Sequence, residues 1–299
     1  MSKRHPRVHG LFNIDKPSGM TSHDVVDAVR AIVRERRVGH AGTLDPLATG
    51  VLVVAVGQAT RLIEFMMNHD KVYRVVIRLG VETTTYDAEG EVVTQVPLPR
   101  LTEADIERVL TAFRGRIRQI PPRYAAIRHR GKRLYEWARE GVEVTPKPRE
   151  VTIYTLKLEA WTPPDLTLYV ACSAGTYVRS LAHDIGQTLG VGGHVKALRR
   201  LASGPFRVED AVPLDVLRSG DWRAYLLPPD AGLQDIPRVD LTPEHARRVR
   251  HGGFVPDLPI SPGERWARAY VNGSFLAVLE WDPQRRVWRP RKVFSDEPI

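Results

Sequence analysis

The sequence of 299 residues contains a single cysteine, Cys172, and no long apolar run. One cysteine excludes an intrachain disulfide and every cysteine-based zinc motif, and such scarcity is typical of a reducing cytosol. No run approaches the roughly 18 consecutive apolar residues of a membrane span, and the basic N-terminus lacks the apolar stretch of a signal peptide. The glycine motifs of nucleotide-binding loops are also missing. We therefore expect a soluble, cytoplasmic protein.

The sequence carries an excess of positive charge. It has 44 Lys and Arg against 35 Asp and Glu, and residues 114–150 alone contain eleven basic and four acidic side chains. Clustered cations bind a polyanion because they release counterions from its phosphates. We therefore expect a nucleic acid as partner, although a basic surface that serves only solubility would give the same net charge of +9.

The apolar pattern predicts an α+β protein. The capping boxes Thr21-x-x-Asp24 and Thr102-x-x-Asp105 each predict a helix start. Further helices are predicted at residues 60–67, 177–189, 195–201 and 243–251, and strands at 51–56, 71–79, 151–158, 166–172, 267–271, 275–280 and 286–289. Because the strands come in pairs and runs, we expect a largely antiparallel sheet flanked by helices.

Prolines indicate a domain boundary late in the chain. Pro228, Pro229 and Pro237 bracket a predicted linker. Since single cores stop growing near about 250–300 residues, two domains are expected. We predict a main domain at residues 1–235, with a basic insertion at about 119–150, and a small β-rich domain at residues 236–299.

One acid has an unusual setting, within Gly39-His-Ala-Gly-Thr-Leu-Asp45-Pro-Leu-Ala-Thr-Gly50. The glycines permit backbone conformations closed to other residues, and Pro46 restrains the chain directly after the acid. A short apolar strand is predicted to follow. Asp45 is therefore either an ordinary turn residue or an acid held rigidly for chemistry.

This stretch closely resembles the catalytic motif of the tRNA pseudouridine-55 synthases, the bacterial TruB family of RNA-modifying enzymes. Segments in the family's order cover residues 10–75, 119–150, 173–206 and, more loosely, 237–299. The resemblance implies the pseudouridine synthase fold, with a mixed, largely antiparallel sheet, followed by a PUA-like RNA-binding domain that forms a small β-barrel. It also implies an isomerisation that uses no cofactor and no metal.

In this family the aspartate that matches Asp45 is a nucleophile: the base is detached, turned and rejoined to the ribose through carbon instead of nitrogen. The attack can be at the ribose C1′ or at C6 of uracil, and the sequence leaves both open. A carboxylate nucleophile must be ionised, and an adjacent guanidinium would keep it so. Arg179 is the expected partner, because a cation in the first turn of a helix is disfavoured by the helix dipole and requires a compensating anion.

Tyr73 is the third expected catalytic residue. It lies in Asp70-Lys-Val-Tyr-Arg74, which matches another family motif. Its ring is expected to stack on an extruded uracil, a contact of about 1–3 kcal/mol, and its phenol is an alternative general base. The strand pattern places Tyr73 on one face with Val75 and Ile77, so a core tyrosine also explains it.

The resemblance implies further contacts with the substrate. The histidine matching His40 fills the stack that a flipped base leaves, Leu198 is expected to pack on the uridine, and Arg199 and Arg200 to meet phosphates. The other expected substrate-binding residues are Tyr177, Arg128 and Lys132. Simpler roles are also open: a loop histidine on a phosphate for His40, a core leucine for Leu198 and a solvated helix arginine for Arg179.

Aromatic side chains are interleaved with the basic ones at residues 119–150. Tyr124, Tyr135 and Trp137 lie among arginines, a combination that grips an RNA backbone and covers exposed bases. A charged surface helix is the alternative. Relatives commonly have Ser and Lys where this chain has Ala125 and Arg128, so any role that requires a hydroxyl at residue 125 is in doubt.

We therefore expect the chain to isomerise the uridine at position 55 in the T loop of tRNA. It should dock on the T arm as a monomer, with no obligate protein partner and no membrane. Two other hypotheses stay open. One is the same chemistry on another RNA, including guide-RNA-directed modification, and the other is an RNA chaperone that folds the tRNA elbow.

Overall fold

The computed structural model describes residues 8–124, 128–129, 132–133, 137, 140, 142, 144 and 146–294. The α-helices in this part of the chain are α1 (Ser22–Val33), α2 (Ile63–Met66), α3 (Glu103–Thr111), α4 (Val178–Thr188), α5 (Leu214–Ser219) and α6 (Pro243–Arg250). Three 3-10 helices in the same ranges cover Gly57–Leu62, Val208–Asp210 and Trp222–Tyr225. Across the described ranges, no helix is long and apolar enough to cross a membrane.

The strands are β1 (Gly10–Lys16), β2 (Val38–His40), β3 (Thr49–Val56), β4 (Lys71–Leu79), β5 (Val81–Thr83), β6 (Val92–Gln95), β7 (Gly115–Gln119), β8 (Arg128–His129), β9 (Lys132–Arg133), β10 (Arg149–Thr162), β11 (Asp165–Cys172), β12 (Gly193–Ser203), β13 (Phe206–Arg207), β14 (Val212–Pro213), β15 (Arg238–Asp240), β16 (Trp266–Val271), β17 (Ser274–Asp282) and β18 (Val287–Val293). The predicted strands at residues 51–56, 71–79, 151–158, 166–172, 267–271, 275–280 and 286–289 correspond to β3, β4, β10, β11, β16, β17 and β18. The predicted helix at residues 60–67 begins within a 3-10 helix and continues as α2.

The first helix shows why its sequence folds as predicted. The Thr21 hydroxyl accepts from the Asp24 amide at 3.1 Å, and the Thr21 amide donates to the Asp24 carboxylate at 2.8 Å. This capping box satisfies amides that the first helical turn leaves without intrahelical acceptors. The helix buries Val25 and Val29 in the main core.

A ten-stranded mixed sheet forms the main body. Its order is β14-β1-β3-β12-β4-β11-β10-β7, with β2 on β3 and β13 on β12. The pairs β1–β14 and β3–β12 are parallel and the others antiparallel. The predicted α+β class with a largely antiparallel sheet flanked by helices is confirmed.

The predicted helix at residues 195–201 is wrong, because this segment is part of β12. Its Ala, Leu, Lys and Arg residues favour a helix, but the segment pairs with β4 along its whole length and with β3 at Arg199 and Arg200. Register shifts between Val195 and Ala197 and between Arg200 and Ala202 break the two-residue alternation that identifies a strand. Tertiary pairing thus overrides local propensity here.

The C-terminal region forms a second sheet, in the order β15-β16-β17-β18. Its residues have their own apolar core, which includes Val249, Ala267 and Trp288. The predicted β-barrel is an open four-stranded sheet in the described part of the chain. The sheet packs on the main body, where Val278 and Phe294 share a buried apolar cluster with Leu11 and Met66. Lys292 adds an ion pair, since its Nζ lies 2.6 Å from a Glu64 carboxylate oxygen.

Candidate active site

Asp45 lies in the loop between β2 and β3, in a tightly constrained turn. The Ala48 amide donates to the Asp45 carbonyl at 3.1 Å. Gly42 and Gly50 have φ values of +109° and +97°, as the sequence led us to expect. A Cβ on Gly50 would lie 2.2 Å from the carbonyl oxygen of Arg200, so this position requires glycine for space as well. The loop therefore holds the acid in one place.

Arg179, in the first turn of α4, reaches this acid. Its Nη2 donates to Asp45 Oδ1 at 3.0 Å, and its Nε lies 3.0 Å from Oδ2. The Arg179 side chain is 7% exposed and that of Asp45 is 30% exposed. A charge-assisted contact through two nitrogens fixes the carboxylate orientation. The structure thus brings together the two residues that the sequence paired.

A second carboxylate, Asp87, shares the Arg179 guanidinium. Asp87 is buried, and its Oδ2 lies 3.3 Å from Arg179 Nη1. The same Nη1 donates to the Thr85 carbonyl at 3.2 Å, and Nη2 donates to the Tyr124 carbonyl at 2.9 Å. Arg179 is therefore held by the residue 85–87 turn while it contacts Asp45.

Burial and neighbouring charges set the protonation of Asp45. Burial raises the pKa of the Asp45 carboxyl above its ordinary value, Arg179 and Lys16 oppose this rise, and Asp87 adds to it. Lys16 is fully buried and donates to the Pro46 carbonyl at 3.1 Å. Burial lowers the pKa of Lys16 to about 8, so at neutral pH its ammonium still favours the ionised acid.

Tyr73 and Leu198 lie on adjacent strands of the sheet, β4 and β12. They are only 8% and 7% exposed, and both belong to the main core. Burial raises the pKa of Tyr73, and the hydrogen-bonded Arg200 guanidinium opposes this rise. The negative charge of Asp45 adds to the rise. Tyr73 is thus a core tyrosine and a neighbour of the acid at once, so its two interpretations are compatible.

Arg200 does not meet phosphates, and this prediction is wrong. The residue is 1% exposed, and its Nε donates to the Val51 carbonyl at 2.7 Å. Its other nitrogens donate to the carbonyls of Gly42 at 3.0 Å and Thr43 at 3.3 Å. Arg200 therefore braces the Asp45 loop at both ends from inside the sheet.

Three other predicted substrate contacts lie at different places around the site. Tyr177 is partly buried at the start of α4, and its backbone exchanges hydrogen bonds of 2.7 and 2.9 Å with the Gln119 side chain. His40 ends β2 and is partly buried. Arg199 pairs with Asp15 at 2.8 Å and its side chain is 40% exposed. Their roles toward RNA stay predictions.

Arg128 and Lys132 belong to the hairpin formed by β8 and β9, where Arg128 pairs with Arg133 and His129 with Lys132. The structure describes the backbone of Arg128 and Lys132 but not their side chains, and residues 125–127 and 134–136 lie outside the described residues. The grip of the basic insertion on RNA therefore stays a prediction.

Sequence analysis missed Asp87, Lys16 and the bracing role of Arg200. Lys16 carries one signal, since it ends an apolar strand and a buried ammonium requires several acceptors. Asp87 follows a run of threonines after β5 and resembles an ordinary turn acid. Only the fold shows that its carboxylate faces Arg179.

Comparison with known proteins identifies the family. The TruB family pseudouridylate synthase N-terminal domain matches residues 30–178, and the tRNA pseudouridylate synthase B C-terminal domain matches residues 179–234. The tRNA pseudouridine synthase B of Streptococcus thermophilus is 42% identical over 298 residues, which cover 96% of this chain and 99% of that protein. The chain belongs to the TruB family. The tRNA pseudouridine synthase B of Symbiobacterium thermophilum is 49% identical over 248 residues, 82% of each chain.

Solved structures share the fold of this TruB-family chain. A Cbf5-Nop10-Gar1 complex matches with a TM-score of 0.74 and 27% identity, covering 96% of this chain and 85% of that one. An H/ACA RNP bound to a substrate RNA containing 2′-deoxyuridine matches with a TM-score of 0.73 and 26% identity, with the same coverage. The predicted pseudouridine synthase fold is confirmed.

Proposed function

We propose that this TruB-family chain isomerises uridine to pseudouridine at position 55 in the T loop of tRNA. The observation that carries the proposal is the contact of Arg179 with Asp45, 3.0 Å from guanidinium to carboxylate, in a rigid loop beside a buried tyrosine. A partly buried carboxylate that a guanidinium orients is suited to covalent catalysis once it is ionised. Relatives named tRNA pseudouridine synthase B support the choice of tRNA.

The reaction exchanges one bond for another. The bond from N1 of uracil to ribose C1′ breaks, and a bond from C5 to C1′ forms. The C5 hydrogen leaves as a proton and N1 gains one, so substrate and product are isomers and no oxidant or reductant is needed. Asp45 attacks either C1′ or C6 and is released when the new bond is complete. Arg179 favours the ionised carboxylate before the attack and after its release, and it keeps the Asp45 side chain oriented throughout.

The remaining site residues bind and enclose the flipped nucleotide. Tyr73 stacks on the uracil, and Leu198 packs on the uridine and excludes water. His40 occupies the space that the base leaves in the RNA stack. Tyr177 and Arg199 contact the substrate around this pocket. Arg128 and Lys132, on the hairpin of the basic insertion, bind the T-arm backbone through its phosphates.

The chain works as a monomer with two domains, at residues 1–235 and 236–299, in the cytoplasm where its tRNA substrate is made. Support for this boundary comes from the family match, which ends at residue 234, and from the separate apolar core of the C-terminal sheet. The second domain is a PUA-like module that adds RNA contacts. The concentrated charge of residues 114–150 supports a substrate grip without an obligate protein partner.

The test uses an unmodified tRNA transcript and the purified chain. Pseudouridine is detected by carbodiimide modification and primer extension, and a stop is expected at position 55. A transcript with cytidine at position 55 is the matched control and should give no stop there. Tight binding without any stop would favour the chaperone hypothesis and contradict the proposal. Stops only in other RNAs would favour a different RNA substrate.

A further inference from the structure

Tyr86 has a backbone conformation that its residue type rarely adopts. Its φ is +62°, in the left-handed region where glycine and asparagine are the common residues. The Tyr86 amide donates to the Thr83 carbonyl at 3.2 Å, and its carbonyl accepts from the Val195 amide at 3.0 Å. A large side chain persists in such a conformation only when its surroundings determine it.

This strained residue lies between two residues that bind Arg179. On one side, the Thr85 carbonyl accepts from Arg179 Nη1 at 3.2 Å. On the other side, Asp87 Oδ2 lies 3.3 Å from the same nitrogen. The backbone angle at Tyr86 decides whether these two groups can face one guanidinium together. The conformation of Tyr86 therefore bears directly on the position of Arg179.

The Tyr86 ring stacks on His183, with centroids 4.0 Å apart and ring planes 13° apart. His183 lies four residues after Arg179 on α4, so the two side chains share one face of the helix. One face of α4 thus makes two contacts with the residue 85–87 turn. Arg179 binds the Thr85 carbonyl and the Asp87 carboxylate. His183 stacks on the Tyr86 ring.

We propose that the Tyr86–His183 stack is a positioning device that fixes the residue 85–87 turn on α4 and thereby orients Arg179 toward Asp45. The inference rests on the proposed function, because Arg179 is there the partner of the nucleophile. Neither ring is assigned a contact with the substrate. Loss of the stack should therefore lower turnover while leaving tRNA binding intact.

The experiment compares variants that lack each aromatic ring with variants that keep one. Tyr86→Asn keeps a residue that tolerates the left-handed backbone but loses the ring, whereas Tyr86→Phe keeps the ring. His183→Ala and His183→Phe form the same pair on the helix. Trp222→Ala is the matched control. It removes the aromatic contact between Trp222 and Phe12, which includes neither Asp45 nor any residue that binds Arg179. Steady-state kcat and KM for tRNA and the thermal midpoint are measured for each.

We expect Tyr86→Asn and His183→Ala to lower kcat about 10-fold with KM within about 2-fold, since small misplacements of catalytic groups cost this much or more. Tyr86→Phe and His183→Phe should keep kcat close to that of the wild type. The double variant Tyr86→Asn/His183→Ala should be no slower than either single one, because the residues act as a pair.

Three results would overturn the proposal. One is wild-type kcat in both ring-loss variants, whatever happens to the thermal midpoint. Another is an equal loss of kcat in Trp222→Ala, which would mean that any loosening of the fold slows the enzyme. The third is a loss expressed only in KM, which would place the rings in tRNA binding. An inactive wild type would instead contradict the proposed function and, with it, this device.

Discussion

The charge of Asp45 depends on a small set of opposing neighbours. Burial and the nearby Asp87 raise the pKa of its carboxyl, whereas Arg179 and Lys16 lower it. The carboxyl must be ionised to act as a nucleophile, so activity should fall as the pH falls through its pKa. Removing one neighbour at a time should therefore move the acid limb of the pH–rate profile in a known direction.

Replacing Asp87 tests this balance. Asp87→Asn removes a negative charge that raises the pKa of Asp45, so the acid limb of kcat/KM should shift to lower pH. At neutral pH kcat should nevertheless fall, about 10- to 100-fold, because Arg179 loses a buried partner that positions it. The measurement is kcat/KM against pH from about 5 to 8.

Glu91→Gln is the matched control for Asp87→Asn. Glu91 is an exposed carboxylate four residues away, and solvent screens its charge. The control variant should leave the acid limb nearly unchanged and kcat close to that of the wild type. An upward shift of the limb in Asp87→Asn would contradict the assignment of charges around Asp45.

Tyr73 can be tested by separating its ring from its hydroxyl. Tyr73→Leu removes the stacking surface and should depress kcat far more than tRNA binding, because the flipped base loses its support. Tyr73→Phe keeps the ring and should retain more kcat than Tyr73→Leu if stacking dominates. Equal losses in both variants would instead assign the function to the hydroxyl, and unchanged turnover in Tyr73→Leu would make it a core residue only.

At the scale of the elements, the site depends on β12 lying between β3 and β4. Arg200 reaches the Asp45 loop, and Leu198 lies opposite β4, only because β12 pairs with β3 at Thr49 and Gly50 and with β4 on its other side. The sequence predicted a helix here, and a helix would place these side chains on a different period. Their residue types were recognisable, but their neighbours were not, because strand pairing is a long-range property.

Gly50→Ala tests how closely β12 and β3 approach. An added Cβ would lie 2.2 Å from the Arg200 carbonyl oxygen, and φ is +97°. Gly115→Ala is the control, since its φ is +80° but no atom lies within 4 Å of the added Cβ. Backbone strain should cost each variant about 1–2 kcal/mol of unfolding free energy, and overpacking should cost Gly50→Ala about 1–3 kcal/mol more. Equal midpoints in urea denaturation would contradict this close approach.

At the scale of the whole molecule, distant parts of the chain form one site. Asp45 and Arg179 are 134 residues apart in sequence and 3.0 Å apart in space. Family motifs identified both residues, and the helix-dipole argument gave a physical reason to pair them. Asp87 and Lys16 escaped sequence analysis because their role comes only from burial beside that pair. The open C-terminal sheet likewise depends on strand pairings that local alternation does not specify.

The central claim is that Asp45 is the nucleophile of a uridine isomerisation. Its most direct test follows tritium release from a T-arm hairpin that carries tritium at C5 of the target uridine, because C5 loses its hydrogen only when the new carbon–carbon bond forms. The wild type should release tritium, and Asp45→Asn should bind the hairpin but release none above the enzyme-free background. Equal release by the two proteins would contradict the account.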